Sequence, residues 1–162
     1  MLENNLSSVI DVGCGNGYKL VYYLKDFETL GIETEPCYTW LVNTYPDRKW
    51  FKHYGETKDC DLIICSDVIE HILDPDILLD YLISLGAKYY IISTPCREIL
   101  CYNQNRKSRY GKSWNGPPIN NCHVREWTMT ELKEYLSTKF EIVYSAYCEK
   151  QIECQYHLLK IK

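Results

Sequence analysis

The sequence predicts an α/β fold in which a doubly wound, mostly parallel sheet of seven strands ends in an antiparallel β-hairpin. Short continuous apolar runs alternate with longer segments of helical period, as buried parallel strands and crossover helices require. The last two apolar runs are divided only by a short polar turn, which permits a hairpin. A length of 162 residues suits a single domain, 1–162.

The strands are predicted from apolar and β-branched runs that polar turns separate. They lie at 8–12, in a run that ends at 32, and at 49–52, 61–65, 89–93, 140–147 and 153–161. Helices are predicted at 16–25, after residue 36, at 76–85 and at 130–137. Asp74-Pro75 is the start signal of the third helix, and Thr128 or Thr130 caps the last.

Composition and charge exclude several classes of protein. With 46% hydrophobic and 25% charged residues, the chain has the content of a globular protein, so disordered and fibrous classes are excluded. The nine cysteines cannot all pair, and the N-terminus lacks a signal peptide, so we expect a cytoplasmic protein with reduced thiols. No apolar run approaches the roughly 18 residues that span a bilayer, so we expect no membrane association.

A glycine-rich turn follows the first strand, in the run Asp11-Val12-Gly13-Cys14-Gly15-Asn16-Gly17. Glycines let the backbone approach a ligand, and Glu33 ends the next strand, where an acid can accept hydrogen bonds from both hydroxyls of a ribose. The glycine spacing fits neither the dinucleotide fingerprint nor a phosphate loop. These features favour a ribose-containing cofactor other than NAD.

Four motifs, in this order, resemble the class I S-adenosylmethionine (SAM) dependent methyltransferases. They are the glycine-rich run 9–17, Gly-Ile-Glu at 31–33, the segment 61–71 and Ile-Ile-Ser-Thr-Pro at 91–95. The resemblance covers nearly the whole chain and implies a Rossmann-like fold with SAM as the cofactor. It assigns adenine to residues around 54–56, where the usual helix after strand three is missing. The other cofactor-binding residues that it implies are Asp11, Gly13, Gly15, Gly17, Glu33 and Ser66.

Two of the four histidines, His71 and His123, lie in segments that this family places at its active site. Asp-x-x-Glu-His at 67–71 and His-x-x-Glu-Trp-Thr at 123–128 resemble the family that 2′-O-methylates the 3′ end of small RNAs. There, two acids and two histidines hold a divalent metal that chelates adjacent ribose hydroxyls. The resemblance implies a Mg²⁺ or Mn²⁺ ion bound by Asp67, Glu70, His71 and His123.

A second resemblance is to bacterial-type sugar and small-molecule O-methyltransferases. It rests on Glu-His-x-x-Asp-Pro at 70–75 and His-x-Arg-Glu-Trp-Thr at 123–128. It implies catalysis without a metal by Glu70, His71 and His123, with one histidine as general base. A structural alternative is that Glu70 and His71 pair with each other or with Arg125 and stiffen the loop.

The long loop 95–127 is expected to act as a lid that binds the acceptor. It carries six arginine or lysine residues and two glutamates, with aromatic residues between them. Basic groups bind phosphates and aromatic faces stack on sugars or bases, so the candidate acceptor residues are Arg97, Tyr110, Trp114 and Arg125. The cysteines of this loop lack the spacing of a zinc site, and we expect most cysteines to be buried.

The sequence therefore predicts a SAM-dependent methyltransferase that acts on a sugar hydroxyl of an anionic acceptor, such as a glycan or a nucleotide sugar. A metal-dependent 2′-O-methyltransferase of an RNA end is the first alternative, and a non-catalytic scaffold that binds SAM is the second. Because strand one begins close to residue 1, we expect a compact domain with no N-terminal cap, and hence a large acceptor or a homodimer.

Overall fold

The computed structural model describes residues 5–52, 59–102, 117–118, 120–148 and 154–162, with the backbone alone at 100–102. In this part of the chain, seven strands form one sheet. They are β1 (Ser8–Val12), β2 (Glu28–Glu33), β3 (Lys49–Lys52), β4 (Cys60–Ser66), β5 (Ala87–Pro95), β6 (Phe140–Tyr147) and β7 (Cys154–Ile161). Their order in the sheet is β3-β2-β1-β4-β5-β7-β6.

The sheet is parallel from β3 to β5 and antiparallel at the edge that β6 and β7 form. β1 pairs in parallel with β2 and β4, β2 pairs with β3, and β4 pairs with β5. β7 runs antiparallel to both β5 and β6. The predicted doubly wound sheet with a terminal hairpin is confirmed. Strand order reverses between β1 and β4, and such sheets bind ligands beyond the carboxyl ends of the strands at that point.

The α-helices of the described residues are α1 (Cys37–Thr44), α2 (Pro75–Ser84), α3 (Arg97–Tyr102) and α4 (Met129–Leu136). The helix predicted at 16–25 is only a π-helical turn, Lys19–Tyr23, and it cannot begin before Gly17, whose φ of +69° is incompatible with a right-handed helix. The six residues of α3 lie inside the predicted acceptor loop, and a 3₁₀ turn, Ile69–His71, follows β4. None of the described helices is long and apolar enough to cross a membrane.

Apolar clusters cover both faces of the sheet. Helices α2 and α4 pack on one face through leucines without solvent exposure, namely Leu79, Leu82, Leu132 and Leu136. The π-helical turn and α1 pack on the other face through Leu20 and Leu41 beside Trp50. We expected most cysteines to be buried, but only half of the eight described cysteines are, namely Cys14, Cys60, Cys65 and Cys96, because the others lie in a turn or at the end of a helix or strand. This packing fixes the positions of the carboxyl ends of β1, β2 and β4.

Thr128 forms a capping box with Glu131 at the start of α4. The Glu131 N–H donates to Thr128 Oγ1, and the Glu131 carboxylate accepts from the Thr128 N–H. We expect Thr128→Ala to lower the free energy of unfolding by about 1 kcal/mol, because one backbone donor of the helix loses its partner. Urea unfolding checks this. Thr130→Ala, at an exposed position two residues further on, is the control and should change stability by less than about 0.5 kcal/mol.

Candidate active site

A cavity of about 480 Å³ lies at the carboxyl ends of β1, β2 and β4. Its lining includes Gly15 from the glycine turn, Glu33 from the end of β2, and Asp67 and His71 from the segment after β4. Apolar side chains complete the wall, among them Ile32, Ile72 and Ile77. A concave, largely apolar space with a few polar groups is typical of a cofactor site.

Gly15 and Gly17 are glycine for different reasons, although both have a positive φ, +56° and +69°. A Cβ on Gly15 would meet nothing within 4 Å. A Cβ on Gly17 would lie 2.6 Å from the Trp50 ring and 2.9 Å from Leu41. Gly15 therefore leaves space for a ligand beside the cavity, whereas Gly17 permits close packing against the sheet and α1.

The Glu33 carboxylate lies against the glycine turn. Its Oε2 accepts a hydrogen bond from the Gly15 N–H at 2.7 Å, and its Oε1 accepts one from the Thr34 N–H at 2.8 Å. These bonds fix the orientation of the Glu33 carboxylate at the cavity wall, where its oxygens could also accept hydrogen bonds from ribose hydroxyls. Ser66 ends β4 opposite Ser93 and is not among the described residues that line the cavity.

Asp11 places a carboxylate beneath the glycine turn with no exposure to solvent. Lys19 Nζ lies 3.2 Å from its Oδ1. Apart from this ion pair, neither oxygen has a hydrogen-bond partner among the described residues. Burial raises the pKa of Asp11 to about 6, and the ion pair with Lys19 opposes that rise. Asp11 directly precedes Val12 and Gly13, which line the cavity, so a buried carboxyl group lies beside the space at Gly15 where SAM would bind.

Glu70 lies in the 3₁₀ turn and is 1% exposed. Its Oε2 accepts from Thr94 Oγ1 at 2.9 Å, while its Oε1 has no hydrogen-bond partner among the described residues. Burial raises the pKa of this carboxyl group. The Glu70 carbonyl accepts from the Val124 N–H at 2.7 Å, which attaches the end of the long loop to the turn after β4. The free oxygen is a position where a cation would satisfy a buried group.

Glu70, His71 and His123 present donor atoms that all lie within 4.8 Å of one another. His71 Nδ1–H donates to the Cys122 carbonyl at 2.7 Å, and His123 Nδ1–H donates to Glu126 Oε1 at 2.8 Å. Metal-binding histidines are usually oriented by such bonds, which leave Nε2 as the ligand atom. The structure thus brings together three of the four residues predicted to hold a metal.

Asp67, the fourth of those residues, lies outside this group of donor atoms. Its φ is +56°, its side chain is exposed, and its Oδ1 lies 3.9 Å from Cys154 Sγ on β7. It still lines the cavity, together with His71. The local backbone turn therefore directs the Asp67 side chain away from those of Glu70, His71 and His123, although Asp67 belongs to the motif at 67–71 that resembles a set of metal ligands.

Two predicted acceptor residues are described. Arg125 donates to the Leu73 carbonyl at 3.1 Å and lies over the Trp127 ring, so its guanidinium packs the loop against the turn before α2. Arg97 begins α3, and its N–H donates to the Trp127 carbonyl at 2.9 Å. Tyr110, Trp114 and the adenine-binding residues predicted at 54–56 lie outside the described residues.

Four further residues support this site without having been predicted for it. Thr94 contacts Glu70, Lys19 contacts Asp11, and Glu126 and Asn120 contact the ring nitrogens of His123. Asn120 donates its amide to His123 Nε2 at 2.8 Å, so a ligand at that nitrogen would displace the amide. Glu126 has a sequence signal, because it lies three residues after His123, and Thr94 lies in the motif at 91–95, whereas the contacts of Lys19 and Asn120 depend on tertiary packing.

The glycine turn, the acid after β2 and the sheet order define a class I methyltransferase. A family model described as a methyltransferase domain matches residues 2–140, and the chain belongs to this family. It is a SAM-dependent methyltransferase, and SAM is its cofactor. No curated protein sequence matches the chain.

Solved structures share this fold at low sequence identity. A SAM-dependent methyltransferase from Clostridium acetobutylicum is 17% identical, with a TM-score of 0.70 over 99% of this chain and 87% of that one. The methyltransferase domain of bacterial CtHen1 is 19% identical, with a TM-score of 0.66 over 99% and 93%. Magnesium protoporphyrin IX methyltransferase from Synechocystis, with bound SAH, is 13% identical, with a TM-score of 0.66 over 99% and 78%.

Alanine substitutions at Gly15 and Gly17 should affect different properties, mainly ligand affinity at Gly15 and mainly stability at Gly17. We expect Gly15→Ala to weaken S-adenosylhomocysteine (SAH) binding at least tenfold and to cost about 1 kcal/mol of stability, because its Cβ enters open space at a positive φ. Gly17→Ala should cost about 3 kcal/mol, because its Cβ also meets Trp50 and Leu41. Calorimetric titration and urea unfolding measure the two effects. Equal loss of stability in both variants would contradict this assignment.

Asp11→Asn should stabilise the ligand-free protein at pH 7.5 by about 1–3 kcal/mol and weaken SAH binding. The folded-state pKa of about 6 lies above the ordinary value of 3.8, so the ionised form opposes folding above about pH 6. That penalty declines as the pH falls from about 6 towards 4, and the advantage of the variant declines with it. Urea unfolding at pH 7.5 and pH 5 tests this, and a stability difference that is independent of pH would contradict it.

Proposed function

We propose that this methyltransferase acts on a sugar hydroxyl that a divalent cation holds at Glu70, His71 and His123, and that the acceptor is the 3′-terminal ribose of an RNA. The observation that carries the proposal is the group of donor atoms within 4.8 Å of one another. This group adjoins the cofactor site because His71 lines the same cavity as Gly15 and Glu33.

The residues present fit a divalent cation. One carboxylate and two imidazoles are suitable ligands for Mn²⁺ and related ions, and Glu70 Oε1 is a buried oxygen to which no described residue donates a hydrogen bond. Thr94 fixes the other oxygen, and the bonds from both Nδ1–H groups fix the histidine tautomers. When bound, the cation would orient the acceptor hydroxyl and lower its pKa.

Methyl transfer requires that the protein align the acceptor and assist the removal of a proton. With SAM bound, the acceptor oxygen would form a bond to the methyl carbon in line with the carbon–sulfur bond that breaks, and the hydroxyl proton would pass to a base or to solvent. The protein therefore has to align an oxygen with the cofactor and help to remove one proton. His71 is suited to the first task because it lines the cofactor cavity and is held by the Cys122 carbonyl, and the cation that its Nε2 would bind helps with the second by lowering the pKa of the hydroxyl.

The choice of an RNA end as acceptor rests on two further observations. The chain shares its fold with the bacterial CtHen1 domain and with small RNA methyltransferase HEN1, each 19% identical. The loop 95–127 combines six basic residues with aromatic residues, which is typical of surfaces that bind single-stranded nucleic acid. A terminal ribose also offers two neighbouring hydroxyls that one cation can chelate.

A second candidate function is metal-free methylation of a sugar hydroxyl on a glycan or nucleotide sugar. It is favoured by the Asn120 amide, which occupies His123 Nε2 at 2.8 Å. In that case the unprotonated Nε2 of His71 would be the general base, because its Nδ1 carries the proton donated to Cys122. The response of the activity to a chelator distinguishes the two functions.

Mn²⁺ binding tests the proposed metal site. We expect Glu70→Gln, His71→Ala and His123→Ala each to weaken Mn²⁺ binding by at least tenfold, because each removes one of three ligands. Electron paramagnetic resonance of free Mn²⁺ during a titration measures this. Asp67→Asn is the matched control, since Asp67 lies outside the donor group, and it should change the affinity less than threefold. Equal loss in all four variants would contradict the three-residue site.

Methylation assays with defined RNA ends test the acceptor. We expect SAH formation with an RNA that has both terminal hydroxyls, loss of activity with a 3′-deoxy end, and inhibition by a chelator that Mn²⁺ reverses. Activity that resists the chelator would favour the metal-free function. SAM binding without SAH formation on any RNA, glycan or nucleotide sugar would favour the scaffold.

A further inference from the structure

Two cysteines face each other at the end of the β6–β7 hairpin. The register of these antiparallel strands pairs Tyr147 with Gln155, so the next pair along the two strands is Cys148 with Cys154. The Cys148 N–H donates to the Cys154 carbonyl at 2.8 Å, which continues the backbone hydrogen bonds of the hairpin by one residue beyond the end of β6. Cys148 and Cys154 are therefore a directly opposed cross-strand pair.

The side chains of this pair point to the same face of the sheet, as directly opposed residues on antiparallel strands do. The Cys154 S–H donates to Asp67 Oδ1 at 3.9 Å. Burial, and then the negative charge of Asp67, raise the pKa of the Cys148 thiol, so both thiols lie near that carboxylate. Opposed residues have Cα atoms about 4.5–5.5 Å apart, and a disulfide needs a separation of about 4.4–6.8 Å. The backbone spacing of the pair is thus the spacing of a disulfide.

Position and exposure distinguish this pair from the other cysteines. In the described strand pairings, no other cysteine has a cysteine as its register partner. Four of the eight described cysteines are buried and so are shielded from a dissolved oxidant, whereas Cys148 and Cys154 are both partly exposed. Cys37 and Cys122 are exposed as well, but neither belongs to a strand. Among the described residues, the sheet holds this accessible pair of thiols face to face.

We propose that Cys148 and Cys154 are a redox-active dithiol, which a small-molecule disulfide converts into a disulfide bond across the hairpin. The thiolate of one cysteine attacks the reagent, forms a mixed disulfide and releases one small thiol. The second cysteine then attacks the protein sulfur of the mixed disulfide and releases the other small thiol. The two cysteines lose two electrons and two protons, and the reagent gains them as it becomes two thiols.

This bond would fasten the outermost strand of the sheet. In the described residues β6 lies at the edge and pairs with β7 alone, and β7 pairs Cys154 with Pro95, where β5 ends and the long loop begins. The bond removes conformational freedom from the unfolded chain, so it stabilises the hairpin beside that loop. Burial raises the pKa of both thiols, and a thiol of high pKa is a poor leaving group, so we expect the disulfide to form slowly and to resist reduction.

Peptide mapping of the native protein tests this thiol site. Tryptic cleavage after Lys139, Lys150 and Lys160 places the two cysteines on separate peptides, 140–150 and 151–160, which only a disulfide joins. After equilibration with excess glutathione disulfide and alkylation of free thiols, we expect most of the protein to yield the joined peptides, two hydrogens lighter than their sum. The melting temperature of the oxidised protein should exceed that of the reduced protein by roughly 5 °C.

Serine variants show whether both effects belong to this pair. Cys148→Ser and Cys154→Ser should each abolish the joined peptides and the rise in melting temperature. Cys37→Ser, at an exposed cysteine on α1, is the control and should retain both. The proposal fails if the wild-type peptides are recovered separately, free or with glutathione attached, or if they join only after denaturation. It also fails if they are joined to peptides of other cysteines as often as to each other.

Discussion

The buried carboxyl group of Glu70 is the constraint on which the active site depends. Its backbone carbonyl holds the Val124 N–H at 2.7 Å, and its side chain accepts from Thr94 at the end of β5. One residue thus ties together the turn after β4, the fifth strand and the end of the long loop. This carboxyl group is 1% exposed, and one of its oxygens has no hydrogen-bond partner in the part of the chain that the structure describes, so its burial costs free energy that a bound cation would offset.

At the glycine turn, too, a buried carboxylate lowers the stability of the fold beside a candidate binding site. Asp11 is fully buried with a single ion pair, and its raised pKa means that its charge opposes folding at neutral pH. Parallel pairing of β1 with β4 sets the carboxyl ends of these strands side by side, at the edge where the cavity lies. Strained or under-satisfied groups concentrate at functional sites because the rest of the structure holds them there.

Sequence reasoning predicted the sheet because each strand is an apolar run with its own turn signals, and it predicted the glycine turn and Glu33 because both are local features. It also singled out Glu70, His71 and His123 from two short motifs, and the structure brings the donor atoms of these three residues within 4.8 Å of one another. It could not predict that Asp67 would turn away, because that depends on a positive φ and on a neighbour in β7. Lys19, Thr94 and Asn120 were missed for the same reason, since their partners are set by tertiary packing.

The central claim is that Glu70, His71 and His123 form one cation site beside the SAM cavity. A crystal structure of the protein with SAH and Mn²⁺, measured at a wavelength where manganese scatters anomalously, tests it most directly. We expect a single strong anomalous peak within bonding distance of these three side chains, with the Asn120 amide moved away from His123 Nε2. The absence of a peak there at millimolar Mn²⁺, with SAH bound at the glycine turn, would contradict it.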